Sequence, residues 1–135
     1  MISTLEYARN KAEIVLFQEP WINQNDFTTI SHPSFLAIIP KPENPQINGS
    51  GTKIRVLTFI KKNIPVNITI TLRLDIINDL DVQILSISGI NLKEVLLFNI
   101  YNERNIDNIW TINRLTRIQL PKRAIISGDL NYYYS

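Results

Sequence analysis

The sequence predicts an α/β fold in which β-strands predominate and helices lie outside them. Three observations lead to this prediction. Hydrophobic residues make up 44% of the 135 residues and charged residues 19%, a balance typical of a globular domain. Short apolar runs separated by turn residues recur through the middle of the chain, as in a β-meander. Two stretches, 3–12 and 107–119, have the apolar spacing of amphipathic helices.

The composition narrows the class of protein. The length suits one domain, predicted to extend over residues 1–135. There is no cysteine, which excludes disulfides and thiolate metal sites and favours an intracellular protein. The single histidine excludes a multi-histidine metal site within the chain, and the net charge of +2 permits nucleic-acid binding without requiring it. No apolar run approaches the ~18 residues that cross a bilayer, so no membrane partner is expected.

The elements of the first half can be assigned in order. Residues 3–12 predict a short helix in which Ser3 is a candidate N-cap and Glu6 completes a capping box. Apolar runs at 14–17 and 35–39 predict buried strands, and prolines interrupt pairing soon after each of them. The stretch 41–51 is rich in proline and glycine and predicts a loop.

A run of strands follows, predicted at 54–60, 68–76, 82–88 and 95–101. Apolar and polar residues alternate strictly through 68–76, so one face of that strand is expected to be exposed to solvent. The second predicted helix, 107–119, would use an apolar stripe that consists of Ile109, Ile112, Leu115 and Ile118. A final buried strand is predicted at 123–127.

Polar side chains suited to phosphate chemistry follow three of these strands. Glu19 follows the first, Tyr101 ends the sixth, and Asp129 and Asn131 follow the last. If the strands are neighbours, these side chains gather at one edge of a sheet. A glutamate can bind Mg²⁺, or Mn²⁺ as the alternative ion, while an aspartate with a nearby asparagine can orient an attacking water. A tyrosine hydroxyl can reach a phosphate oxygen, so the pattern predicts a metal-dependent phosphodiesterase site.

Three segments resemble successive motifs of the endonuclease/exonuclease/phosphatase superfamily, in the order in which that family has them: IVLFQEPW at 14–21, FNIYN at 98–102 and SGDLN at 127–131. The forms QEPW and NIYNE most resemble the endonuclease domain of LINE-type non-LTR retrotransposons, especially fungal ones. The resemblance extends from Ile14 to Asn131. It implies a DNase I-like fold, of which this chain would be a partial two-sheet β-sandwich, incomplete at the N- and C-termini.

The resemblance also implies a role for each candidate site residue. Glu19 matches the family's metal-binding glutamate and Tyr101 its active-site tyrosine. Asp129 matches the aspartate that activates or orients the nucleophile, and Asn131 matches its partner asparagine. Such domains nick target DNA in the nucleus and leave a 3′-hydroxyl that primes reverse transcription. DNA, Mg²⁺ and a nuclear location are therefore what the resemblance implies.

The sequence departs from the family pattern in three places. The family has an earlier strand with an active-site asparagine, and a later Ser-Asp-His motif, and neither has a counterpart in this sequence. Three tyrosines, 132–134, stand where retrotransposon members have a small residue and two histidines. We therefore expect a truncated endonuclease with weak or no activity. Missing strands would leave open sheet edges, through which the chain is expected to self-associate.

Other interpretations stay open at this point. The chain could be a non-catalytic nucleic-acid-binding or interaction remnant, or a phosphatase or RNA nuclease of the same superfamily. Glu19 could be a solvated strand-end carboxylate, Asp129 a turn residue and Tyr101 a core residue. His32 lies in a proline-containing stretch away from the motifs and is expected to be structural.

Overall fold

The structure is a computed structural model that describes residues 2–20, 31–40, 53–104, 107–120 and 122–130. These residues are mostly β, with two sheets and two short helices. In chain order the elements are α1 (Ile2–Ala8), β1 (Ile14–Gln18), β2 (Phe35–Ile38), β3 (Val56–Lys61), β4 (Ile68–Leu72), β5 (Val82–Gly89), β6 (Leu92–Tyr101), α2 (Thr111–Arg114) and β7 (Ala124–Asp129).

The described strands form two separate sheets. The first has the order β1-β3-β2 and is antiparallel throughout. The second has the order β4-β5-β6-β7, and its β6–β7 pair is parallel. Because parallel strands run in the same direction, β6 and β7 end at the same edge of the sheet. Tyr101 and Asp129 are partners in this register.

Each sheet packs one face against a nearby helix or turn. Leu5 and Ala8 of α1 are buried in a cluster with three residues of the first sheet: Phe35, Leu57 and Phe59. Leu115, directly after α2, is buried in a second cluster with residues of the second sheet: Val82, Ile84, Leu96, Phe98 and Ile100. Burial of these side chains is the main favourable contribution to folding.

The facing sides of the two sheets are joined by buried polar side chains. Gln18 Nε2 donates a hydrogen bond to Asn99 Oδ1 (2.7 Å), and Thr58 Oγ1 donates one to Gln83 Oε1 (2.6 Å). Gln83 Nε2 in turn donates to the carbonyl of Ile38 (2.7 Å). A buried polar group without a hydrogen-bond partner reduces the stability of the folded state. These pairings therefore favour a single position of the first sheet relative to the second sheet.

Both helices are shorter than the sequence predicts. Helix α1 ends at Ala8, whose carbonyl accepts hydrogen bonds from Lys11 and Ala12 in a closing turn. Helix α2 is a single turn, and Asn108 before it has a φ of 63°, a left-handed conformation that cannot be part of the helix. The described residues therefore show a mostly β architecture; they do not show a helix-flanked α/β arrangement.

The predicted apolar stripe of the second helix is wrong for two of its four members. Ile109 and Ile112 are 45% and 41% exposed, whereas Leu115 is buried and Ile118 packs against the same core. The stripe fails because a helix of four residues cannot present the same face over three turns.

Strand β4 is also shorter than predicted, but one of its faces is exposed to solvent, as predicted. It ends at Leu72, because the chain turns back where the Ile76 N–H donates to the Arg73 carbonyl (3.2 Å). Thr69 and Thr71 are exposed, as the alternation predicts.

Strands β4 and β7 are the outer strands of the second sheet as far as the structure describes it. Strand β7 forms as predicted, but the prediction that it is buried is wrong: Ile125 and Ile126 are 56% and 47% exposed, because β7 is an outer strand. Self-association through open edges stays a prediction. Within the described ranges, no helix has the length and apolar character needed to cross a membrane.

Candidate active site

Glu19 directly follows β1 and has an unusual backbone conformation. Its φ is 49°, in the left-handed region that non-glycine residues rarely adopt. Its N–H donates to the Arg55 carbonyl at 2.8 Å, which holds the end of β1 against the residue before β3. Such strain costs about 1–3 kcal/mol and occurs most often at functional sites.

One oxygen of the Glu19 carboxylate is fixed and the other is available. Oε1 accepts hydrogen bonds from the Tyr101 hydroxyl (2.8 Å) and from Arg55 Nη1 (2.6 Å). Oε2 has no hydrogen bond with any described residue. The Glu19 side chain is 36% exposed, so solvent reaches part of it.

Arg55 connects two carboxylates. Its Nη2 donates to Glu103 Oε1 at 3.0 Å and lies 2.9 Å from Glu103 Oε2. Its guanidinium carbon lies 4.9 Å from the centre of the Tyr101 ring, and the residue is 7% exposed. The planar fork of arginine allows these contacts at the same time. We call Glu19, Arg55, Tyr101 and Glu103 the Arg55 cluster.

Asp129 ends β7 beside this cluster. It is exposed and is the register partner of Tyr101, so the two residues lie next to each other on the same face of the sheet. Gly128 before it has a φ of 144°, and a Cβ at that position would lie 1.9 Å from the Ile100 carbonyl oxygen. Only glycine lets β7 approach β6 this closely, which gives a physical reason for glycine ahead of Asp129.

Asn102 fastens the end of β7 to the end of β6. Its N–H donates to the Asp129 carbonyl and its Nδ2 donates to the Leu130 carbonyl, both at 2.8 Å. Its Oδ1 accepts from the Ile112 N–H at 3.0 Å. The backbone of the Asp129 segment is thus held by a side chain for which the sequence suggested no role.

The structure brings together three of the four predicted site residues. Glu19, after β1 of the first sheet, contacts Tyr101 at the end of β6 of the second sheet, and Asp129 lies on the neighbouring strand β7. The prediction of one edge of a single sheet is therefore wrong, because the contact is made between two packed sheets. Asn131 lies outside the described residues. In the parts of the chain that the structure describes, no group of three or more His, Cys, Asp or Glu side chains could hold a metal ion. Mg²⁺ often keeps several waters and binds through one or two carboxylates, and Oε2 of Glu19 fits that mode.

Sequence reasoning did not identify Arg55 and Glu103 as members of the site. Arg55 could have been found, because it is the one charged residue within the mostly apolar stretch 54–60. Glu103 lies two residues after the end of the sixth predicted strand, and no further feature of the sequence indicated a role for it in the site.

His32 lies apart from the Arg55 cluster. It is 4% exposed, and its Nε2 is hydrogen-bonded to Glu6 Oε1 of α1 at 2.7 Å. Its Nδ1 accepts from the Ser34 N–H at 3.0 Å. The histidine therefore connects α1 to the segment before β2, in agreement with a structural role.

No protein-family model matches the chain, and comparisons with curated proteins and with solved structures found no match either. The case for a function therefore depends on the ordered motifs and on the geometry at the strand ends. That geometry combines three carboxylates (Glu19, Glu103 and Asp129) with one guanidinium and one phenol.

Proposed function

We propose that this chain derives from a Mg²⁺-dependent DNA endonuclease of the endonuclease/exonuclease/phosphatase superfamily, similar to those of LINE-type retrotransposons. The observation that supports this most is the 2.8 Å hydrogen bond between Tyr101 and Glu19, which are 82 residues apart. The two residues come from separate motifs of the resemblance, and Asp129 of the third motif lies in register with Tyr101. The finer proposal for the fold is a partial DNase I-like sandwich.

Each residue would have a distinct role in hydrolysis. Glu19 would hold Mg²⁺ through Oε2, and Tyr101 and Arg55 would keep the carboxylate in position through Oε1. A bound Mg²⁺ supplies charge stabilisation for the phosphoryl group. Asp129, exposed at the end of β7, would orient the attacking water.

We expect the activity to be low. In the family, a histidine is central to phosphate binding and proton transfer. His32 is the only histidine in the sequence, and its ring is already bonded to Glu6 and Ser34. The site therefore has a metal ligand and a water-orienting carboxylate but no imidazole.

A nicking assay on supercoiled plasmid DNA tests the proposal. We expect slow nicking that requires Mg²⁺, stops with a chelator, and is lost in Glu19→Gln and in Asp129→Asn. Both substitutions keep the shape of the side chain and remove its charge. Asp75→Asn serves as the matched control, because Asp75 is a 66% exposed carboxylate bonded to Arg73 and takes no part in the cluster. Nicking that persists in both site variants contradicts the proposal.

The same preparation distinguishes the alternatives. A non-catalytic nucleic-acid-binding remnant would shift the mobility of DNA without cutting it, and the shift would weaken steeply with salt because phosphate contacts release counterions. Cleavage of RNA in place of DNA, lost in the same two variants, would instead assign the site to an RNA nuclease of the superfamily.

A further inference from the structure

A cleft opens between the two sheets on the side of β2 and β4, each of which is an outer strand of its described sheet. Its volume is about 450 Å³, within the range of about 300–1,000 Å³ that is usual for small-molecule sites. Its described lining consists of seven leucine and isoleucine side chains and two lysines, Lys61 and Lys62. We call this space, which extends from Leu36 of β2 to Leu72 of β4, the inter-sheet cleft.

The cleft leaves apolar side chains of both sheets incompletely covered. On β4, Thr69 and Thr71 are exposed on one face, while Ile70 and Leu72 of the other face line the cleft. Ile70 and Leu72 are nevertheless only partly buried, as is Ile38 of β2 across the cleft. An apolar chain in the cleft would cover these side chains, and each methylene group removed from water tightens binding about fourfold.

The two lysines give the cleft a positive charge. Every ion pair among the described residues involves an arginine or His32, so neither lysine is paired with a described carboxylate. The one acidic side chain nearby, Glu13, lines a smaller adjoining cavity of about 170 Å³. Lys61, Lys62 and Glu13 together carry a net charge of +1. An apolar cleft with two unpaired lysines is complementary to an apolar chain that ends in an anion.

We propose that the inter-sheet cleft binds a free fatty acid, with its single acyl chain between the sheets and its carboxylate at Lys61 and Lys62. At neutral pH a carboxylic acid of this kind is ionised, so its head group carries the charge that the lysines attract. The lysines lie at the end of β3, whereas Arg55 directly precedes its start, and the cleft shares no described lining residue with the Arg55 cluster. The binding site is therefore separate from the proposed nuclease site and does not depend on it.

The first test titrates the protein with octanoate and decanoate, using calorimetry for affinity and methyl NMR for location. Decanoate should bind about fifteenfold more tightly than octanoate, because it buries two more methylene groups. Its methyl shifts should fall on cleft residues such as Ile60, Ile64 and Ile70. Ile125 and Ile126, exposed on β7, are the internal control and should not shift. Absence of binding, or equal shifts in both sets of isoleucines, overturns the proposal.

The second test removes the charge of the lysines. In the double variant Lys61→Gln, Lys62→Gln we expect decanoate to bind about tenfold more weakly, since two solvent-screened ion pairs are lost. Decanol has a similar chain without the charge, and its affinity should be the same in the variant and the wild type. Lys93→Gln, at an exposed lysine of β6, is the matched control and should leave decanoate binding unchanged. Equal losses for decanoate and decanol, or no loss for decanoate, overturn the proposal.

The third test changes the apolar wall of the cleft. Leu36 lines the cleft and is 56% exposed, so Leu36→Glu should fold and should abolish decanoate binding by placing a carboxylate beside the acyl chain. Ile90→Glu, at an 84% exposed isoleucine outside the cleft, is the matched control. Circular dichroism establishes that each variant is folded. Unchanged binding in folded Leu36→Glu overturns the proposal.

Sedimentation velocity distinguishes a second copy of the chain as the occupant of the cleft. If the cleft binds a fatty acid, decanoate binds at protein concentrations at which the chain is monomeric. A dimer that Leu36→Glu dissociates, and that decanoate neither binds nor dissociates, would assign the cleft to self-association and overturn the proposal.

Discussion

Two arginines of this protein each bridge two carboxylates, but the carboxylates of one group are buried and those of the other are partly exposed. The interior group, the Arg114 cluster, consists of Arg114, Asp79 and Asp81. Arg114 Nε lies 3.1 Å from Asp79 Oδ2, and its Nη2 lies 3.0 Å from Asp81 Oδ2. The two aspartate side chains are 6% and 1% exposed.

The Arg55 cluster has similar ion-pair distances in different surroundings. The side chains of Glu19 and Glu103 are 36% and 25% exposed, while that of Arg55 is 8% exposed. The two groups therefore differ in the exposure of their carboxylates and not in the ion pairs themselves. Loss of the arginine should cost more where the carboxylates are buried, because a buried charge depends more on its partner than a hydrated one does.

The largest effect is expected from breaking the Arg114 cluster. Arg114→Met removes the guanidinium that bridges two buried carboxylates, which we expect to lower the free energy of unfolding by about 3–5 kcal/mol. Urea denaturation measures this. Arg117→Met, at an exposed arginine in the next turn of the chain, is the matched control and should change stability very little. A loss in Arg114→Met as small as that of the control would show that the cluster is not structural.

A smaller loss is expected when the same substitution is made in the Arg55 cluster. In Arg55→Met, both glutamates can regain water, so we expect a decrease of about 1–2 kcal/mol in the free energy of unfolding. The measurement is again urea denaturation, run side by side with Arg114→Met. Equal losses in the two variants would contradict the distinction drawn from carboxylate exposure.

The smallest effect is expected from a more exposed pair, Arg73 and Asp75, whose side chains are 29% and 66% exposed. The hydrogen bonds from the Arg73 guanidinium lower the pKa of the Asp75 carboxyl below its ordinary value. Because the folded-state pKa is the lower one, the contribution of this pair is present above the unfolded-state pKa and is lost as the pH falls through the folded-state pKa.

Asp75→Asn should therefore reduce stability slightly at neutral pH and leave it unchanged in acid. Added salt should remove the difference at neutral pH, because exposed charges are screened. Urea denaturation at both pH values, together with an NMR titration of the Asp75 carboxyl, measures this. If Asp75→Asn loses more stability than Arg55→Met, the order of effects predicted from the exposure of the carboxylates is wrong.

Much of the sheet structure could be predicted from the sequence because its signals are local. The apolar run that starts at Ile14 and the alternation after Ile68 each lie within one strand, and both strands form. The sequence indicated that Glu19 and Tyr101 lie at strand ends, but their hydrogen bond depends on the packing of the first sheet against the second, which no local pattern specifies. The sequence shows that Gly128 precedes Asp129 as part of a motif. It does not show why a glycine is needed there, which is the close approach of the backbone to Ile100.

The second helix could not be predicted correctly, and the cause is not local. The spacing of Ile109, Ile112 and Leu115 indicates a helix, but the left-handed Asn108 and the hydrogen bond of Ile112 to Asn102 keep the segment to one turn. Those features depend on where β6 ends. The helical spacing of apolar residues in a short stretch is weak evidence for a long helix, because tertiary contacts determine the length of the helix.

The sequence by itself determined the positions of the strands along the chain, the solvent-exposed face of β4 and the polar residues at the strand ends. It did so because periodicity and turn residues act over a few neighbouring positions. Only the tertiary structure decided that Arg55 joins Glu19 to Glu103, and that Gln18 bonds to Asn99 between the sheets. The partner of a buried polar side chain depends on which distant strands become neighbours, and no local pattern in this sequence specifies that choice.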